Sequence, residues 1–381
     1  MHQFKDKISA RLLHEIEKKN WYRHGIYRCN LLFEAMLFLG LGRKFFQKEG
    51  IPRSFVYIQM DTEAYITRDD FQAISQMMHR KIQGEKGYLA HYIVAYRKDN
   101  ERLLALARHI ARRDTASLTN EELGRLFEMF CRRTIELSHW LWSMEFLNHA
   151  VDQFMYEKIK QWHPEWSEQK IGEFLMEISY FSKRFTFQEE MIEVAKLKPT
   201  DLRNLAKLAS LHRKYAWLSL TTWDGVPFAF GAYVRRIRKL IQNRTRLSKQ
   251  IQESGRKARE ASRLIGKIDD PALRRLLQTL RELIYLKTER IDVYSLSWYK
   301  IWGLIQEIER RIGMRHRDFV KMTPQEVLSC LRTGKAISRA ELAKREHFAV
   351  LWLNERLFRF YGRAYREIRN VLTQRDYSKY Y

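Results

Sequence analysis

Asp270-Pro271 opens the stretch ALRRLLQTLRELIYLKTERIDVYSLSWYKIWGLIQEIERRIG, residues 272–313, in which leucines and aromatics recur three and four apart until Gly313 ends the pattern. That spacing brings apolar side chains back to one face every 3.6 residues and predicts a long amphipathic helix. Working outward, the same kind of signal returns. Thr119-Asn120-Glu121-Glu122 stands ahead of ELGRLFEMFCRRTIELSHWLW as a capping box, in which hydroxyl and carboxylate satisfy free backbone N–H groups reciprocally. Thr323-Pro324-Gln325-Glu326 adds a proline at the first helical position, and Gly334 stops the EVLSCL helix behind it. Ser338-Arg339-Ala340-Glu341 repeats the box before LAKREHFAVLWL.

Strand signals are thin. RSFVYIQMDTEAY, residues 53–65, alternates in part and reads as a short hairpin or an extended connection. LTTWDGVPFAFG, residues 220–231, holds Gly225, Pro227 and Gly231 and reads as a loop between helical blocks. Only six prolines and 16 glycines punctuate 381 residues, so long helices are permitted. The expected fold class is all-α: a multi-helix array in two or three subdomains, with at most a short hairpin near 53–65. The expected regions are 1–115, 116–269 with its loop at 220–231, and 270–381.

Seventy Lys and Arg against 45 Asp and Glu leave a net charge of +25. Such a balance attracts polyanions, although a generally basic surface gives the same number. Cys29, Cys131 and Cys330 form no CxxC pair, which argues against a zinc ribbon or redox motif and fits a reducing compartment. The start is charged throughout, without the apolar core of a signal peptide. The apolar run Leu31 to Leu41 is too short for a membrane span and is interrupted by Glu34. A cytoplasmic protein without membrane contact is expected.

The sequence holds no GxxxxGK[ST] phosphate loop, GxGxxG, HExxH or GxSxG. Its histidines are scattered, and no carboxylate pair stands isolated in an apolar setting. No cofactor and no metal are expected, and no complete active site. Aromatics interleaved with cations, as in Trp298-Tyr299-Lys300-Ile301-Trp302, read as core with snorkelling bases.

Two local patterns rise above background. In His212-Arg213-Lys214-Tyr215-Ala216-Trp217-Leu218 a basic helix end runs towards the turn-rich Trp223-Asp224-Gly225. On the long helix, Lys287 and Arg290 share a face with Tyr294, and Asp292 follows closely. Like charges at that spacing need a counterpart. It is either a carboxylate of another helix or a bound anion.

Residues 280–372 carry, in order, LIYLKTERIDVYSLSWYKI, EIERRIGM, MTPQEVLSCLRTGKAISRAELAKRE and FYGRAYREI. This series resembles the helical segment that precedes the phosphohistidine swivelling domain in PEP-utilising enzymes of the PEP synthase-like and rifampin phosphotransferase-like kind. HRKYAWL, residues 212–218, is similar to another element of that family. The family's ATP-grasp domain phosphorylates a histidine that carries the phosphate to an acceptor. Here no G-G-x-x-x-H context is present, and the chain stops at TQRDYSKYY. The resemblance therefore implies an accessory or acceptor-binding helical domain, not catalytic alone, whose partners are separately encoded ATP-grasp and phosphohistidine domains. It implies substrate or anion binding by His212, Lys214, Trp217, Lys287, Arg290 and Asp292. The cations would neutralise phosphoryl charge, Trp217 would form an apolar wall and Asp292 would orient a cation. Lys214, Lys287 and Arg290 should then face one pocket. The alternative is a basic helical nucleic-acid-binding protein, for which Arg235-Arg236-Ile237-Arg238-Lys239 speaks.

Overall fold

Phe348–Leu353 (FAVLWL) is buried at every position. Six apolar residues shielded on both sides suit a strand between two layers better than a turn and a half of helix. The computed structural model describes residues 4–26, 30–40, 55–222, 225–354 and 356–373. In it this run lies inside a sheet. The strands are β1 Phe4–Lys5, β2 Trp21–Ile26, β3 Tyr57–Met60, β4 Glu63–Thr67, β5 Phe348–Leu353 and β6 Arg356–Tyr361. Their order is β1-β6-β5-β3-β4-β2. β1 runs parallel to β6, and the other neighbours are antiparallel.

The all-α expectation is thereby corrected. The hairpin near 53–65 exists as β3 and β4, but within a six-stranded mixed sheet. Residues 53 and 54 lie outside the described residues. Helix does follow the Ser338 box, but only over Arg339–Ala343.

The helices are α1 Ala10–Glu17, α2 Leu31–Gly40, α3 Arg68–Gly84, α4 Tyr88–Ala111, α5 Asn120–Trp162, α6 Glu168–Ile178, α7 Thr186–Ala195 and α8 Leu205–Tyr215. After them come α9 Phe230–Gln242, α10 Arg244–Gly266, α11 Pro271–Lys300, α12 Trp302–Arg311, α13 His316–Phe319, α14 Pro324–Thr333, α15 Arg339–Ala343 and α16 Gly362–Thr373. Nearly the whole helical body is thus inserted between β4 and β5.

Side chains of a strand alternate between faces, and here both faces are apolar. Phe348, Val350 and Trp352 join the core of the helical body, together with Tyr57 and Ile66. Ala349, Leu351 and Leu353 turn the other way, onto a second core with Ile16 of α1 and Ile368 and Leu372 of α16. Asp61, in the β3–β4 turn at φ 43°, ties these layers together. Its carboxylate accepts from the Phe348 N–H at 3.0 Å and from the Tyr365 hydroxyl at 2.5 Å.

α5 runs for 43 residues, about 65 Å at the usual rise. It starts at the capping box read from the sequence: Thr119 N–H donates to Glu122 Oε2 at 2.8 Å and Glu122 N–H to Thr119 Oγ1 at 3.2 Å. α2 is wedged between the sheet and α5. A Cβ added to Gly40 would meet Ser138 Oγ at 1.5 Å, so only glycine permits that approach. Phe38, Tyr57 and Trp142 interlock there, with the Tyr57 and Trp142 rings edge to face at 4.3 Å. α11 packs along α4 and α5.

The expected cuts near 115 and 270 fall in the connections before α5 and α11, yet strands from the first and third regions share the sheet. Among the described residues no helix is long and apolar enough to cross a membrane. Cys131 and Cys330 are buried free thiols, and Cys29 lies outside the described residues.

Candidate functional site

α11 buries Leu283, Leu286, Arg290, Val293 and Tyr294. Arg290 therefore sits on the same stripe as the leucines, with 4% of its side chain exposed. A cation held there needs anionic and carbonyl partners. α5 supplies both one turn apart: Arg290 Nη1 donates to the Leu141 carbonyl at 2.7 Å, and Nη2 donates to Glu145 Oε1. Lys287, one turn earlier, approaches the other Glu145 oxygen at 3.6 Å. The counterpart that this pair requires is thus a carboxylate of another helix.

Asp292 leaves α11 on a different side. Its Oδ2 accepts from Thr186 Oγ1 at 2.8 Å, at the start of α7. Burial raises its carboxyl above the usual range, and the Thr186 hydrogen bonds oppose that rise. Glu289 is likewise raised by burial, against the pull of Arg97 and Lys183.

The HRKYAWL residues gather around α7 and the start of α9. Lys214 binds Glu193 of α7 at 2.5 Å, a contact that raises its ammonium above the ordinary lysine range. His212 Nε2 lies 2.5 Å from the Phe228 carbonyl, and its ring packs on Phe230 and Tyr233. Trp217 is buried, with its indole N–H donating to the Lys214 carbonyl at 2.9 Å. Trp223 and Asp224 lie outside the described residues. Of the six expected residues, the structure brings Lys287 and Arg290 to one carboxylate, while Lys214 belongs to another.

The carboxylates that organise this region, Glu145, Glu190 and Glu193, were not singled out by the sequence reading. Glu190 is fully buried and takes Arg236 in a fork, Nε to Oε1 at 2.9 Å and Nη2 to Oε2 at 2.6 Å. A signal was present, since Glu190 shares the inward stripe of α7 with Val194 one turn on.

Arg236 is the inward member of the basic run named above; Arg235, Arg238 and Lys239 point to solvent. They continue onto α10, where Arg244, Arg246, Lys249, Arg259 and Arg263 are also exposed. None of these eight side chains has a carboxylate within ion-pair distance among the described residues. From 230 to 267 there are twelve Lys and Arg and only two acids, Glu253 and Glu260.

A cavity of about 780 Å³ opens beside β6 and α14, lined among others by Glu326, Lys335, Arg345 and Arg359. Arg345 forks onto Glu326, both N···O distances being 2.9 Å. Burial lowers the Arg359 guanidinium to about 10, with Glu326 acting against that shift. Among the described residues no cluster of His, Cys, Asp or Glu could hold a metal ion. The sequence matches no known family model and no curated protein.

Proposed function

We propose that this chain is an accessory or acceptor-binding module of a PEP synthase-like phosphotransferase system. It binds and does not catalyse alone. It works in the cytoplasm with separately encoded ATP-grasp and phosphohistidine domains. The observation that supports this reading most directly is a contact that joins the two ends of one resembling segment, MTPQEVLSCLRTGKAISRAELAKRE. Thr323-Pro324-Gln325-Glu326 caps α14, and the Glu326 carboxylate that receives the Thr323 N–H at 2.8 Å also receives the Arg345 fork from the later AKRE segment. Acceptor contact is not assigned to Lys214 or Arg290, because each already holds a carboxylate. The test is reconstitution with the ATP-grasp and phosphohistidine proteins from adjacent reading frames and radiolabelled ATP. Label should reach an acceptor only when this chain is added. Transfer at the same rate without it refutes the reading.

A second reading, polyanion binding, is favoured by the eight exposed cations of α9 and α10. If about five of them meet phosphates of a DNA duplex, affinity varies with salt to roughly the power −4.5. Raising salt from roughly 50 to 200 mM then weakens binding about 500-fold. Anisotropy titrations of a labelled duplex measure this. Reversing Arg235, Arg238 and Arg246 to Glu should remove most of the affinity. Salt-insensitive binding, or binding indifferent to those reversals, eliminates these side chains as the contact.

A further inference from the structure

Between α7 and α10 lies a groove of about 470 Å³ whose walls combine aromatic, aliphatic and cationic side chains. Phe181, Phe187 and Ile251 supply apolar surface, and Lys183, Arg184 and Arg259 supply charge. No carboxylate lines it among the described residues. Lys183 is partly neutralised by Glu282 at 3.2 Å, whereas Arg184 and Arg259 have no ion-pair partner among the described residues. The aromatic wall has a direction. Tyr285 and Phe185 are stacked at 5.5 Å and 4°, and Phe185 and Phe187 at 5.7 Å and 14°. Three nearly parallel rings thus end at Phe187, which is 43% exposed.

From this juxtaposition we propose that the groove binds a small aromatic anion. A planar ring system would extend the stack at Phe187, and a phosphate, sulfonate or carboxylate would lie between Arg184 and Arg259. Stacked rings prefer an offset face, and a large exposed aromatic gains most from another flat apolar surface. Guanidinium groups bind planar or tetrahedral oxyanions through paired N–H donors. The absence of acidic lining among the described residues gives the groove a positive field that a neutral aromatic does not exploit.

The test uses 8-anilinonaphthalene-1-sulfonate as the aromatic anion and N-phenyl-1-naphthylamine as its uncharged counterpart. Fluorescence titration of the full chain should give saturable binding of one sulfonate per chain. Ser254→Trp places an indole in the groove and should weaken both probes at least tenfold. Arg184→Glu with Arg259→Glu should weaken the sulfonate at least tenfold and the uncharged probe less than twofold. Circular dichroism and urea midpoints matching wild type establish that each variant is folded. Sulfonate affinity within twofold of wild type in a folded Ser254→Trp protein overturns the proposal. Equal losses for both probes in the charge variant overturn the anionic part of it.

Discussion

Replacing Arg290 by alanine separates a structural cation from a ligand-binding one. Arg290 is 4% exposed and Glu145 is 14% exposed. The substitution removes the guanidinium from a nearly buried carboxylate and its donor from the Leu141 carbonyl. Breaking a buried pair from one side costs about 3–5 kcal/mol. Lys287, already 3.6 Å from Glu145, takes up part of the charge, which places the expected loss near the lower end, about 3 kcal/mol. That is more than a hundredfold in the folding equilibrium by the usual conversion, ~1.4 kcal/mol per decade. Urea unfolding followed by far-ultraviolet circular dichroism should show the midpoint falling with the slope unchanged. Any shift caused by inorganic phosphate should be the same in wild type and variant. Replacing Arg290 and Glu145 together by methionine should cost less than Arg290→Ala, because no charge is then buried alone. A loss of less than about 1 kcal/mol in Arg290→Ala, together with the abolition of a phosphate-dependent stabilisation that wild type displays, would refute the structural role. That pattern is the signature of a cation engaged with a ligand, whose binding free energy would appear as stability.

Arg236→Ala strips the fork from the fully buried Glu190 and should cost about 3–5 kcal/mol in urea unfolding; adding Glu190→Gln should recover part of that loss. Asp292 holds its proton more tightly in the fold than in the unfolded chain, because burial raises its carboxyl. Its ionisation therefore opposes folding at neutral pH, and that cost disappears as pH falls through the native value towards the ordinary carboxylate range. Asp292→Asn should accordingly be the more stable protein at pH 7, with its advantage shrinking on acidification; a constant difference across that window would contradict the assignment. Gly362 has φ 58°, and a Cβ there would lie 2.0 Å from Asp6 Oδ1, so Gly362→Ala should cost about 1 kcal/mol or more and speed proteolysis near β1.

What the sequence disclosed followed the range of the interactions. Helix starts at Thr119 and Thr323 were legible because a capping box is complete within four residues. The sheet was not, because β3 meets β5 across almost the whole helical insertion and no local pattern records that pairing. FAVLWL also lacks alternation, since both of its faces are covered, and an unbroken apolar run behind a capping box imitates a helix. For Lys287 and Arg290 the need for a facing negative charge could be deduced from spacing on one helix. The choice of Glu145 depended on how α5 lies against α11. Lys214 drew attention through its neighbours in sequence, yet its partner Glu193 belongs to a helix that precedes it by about one turn-rich connection.

The insertion of the helical body between β4 and β5 also sets a schedule for synthesis. When β3 and β4 leave the ribosome, the strand that covers the open side of β3 is still roughly 280 residues away, some 15–60 s at ordinary elongation rates. Throughout that interval Tyr57, Ile58 and Met60 form an apolar strand with one edge unpaired, the kind of edge on which other chains aggregate. β5 can close that edge only after residues 68–347 have been synthesised.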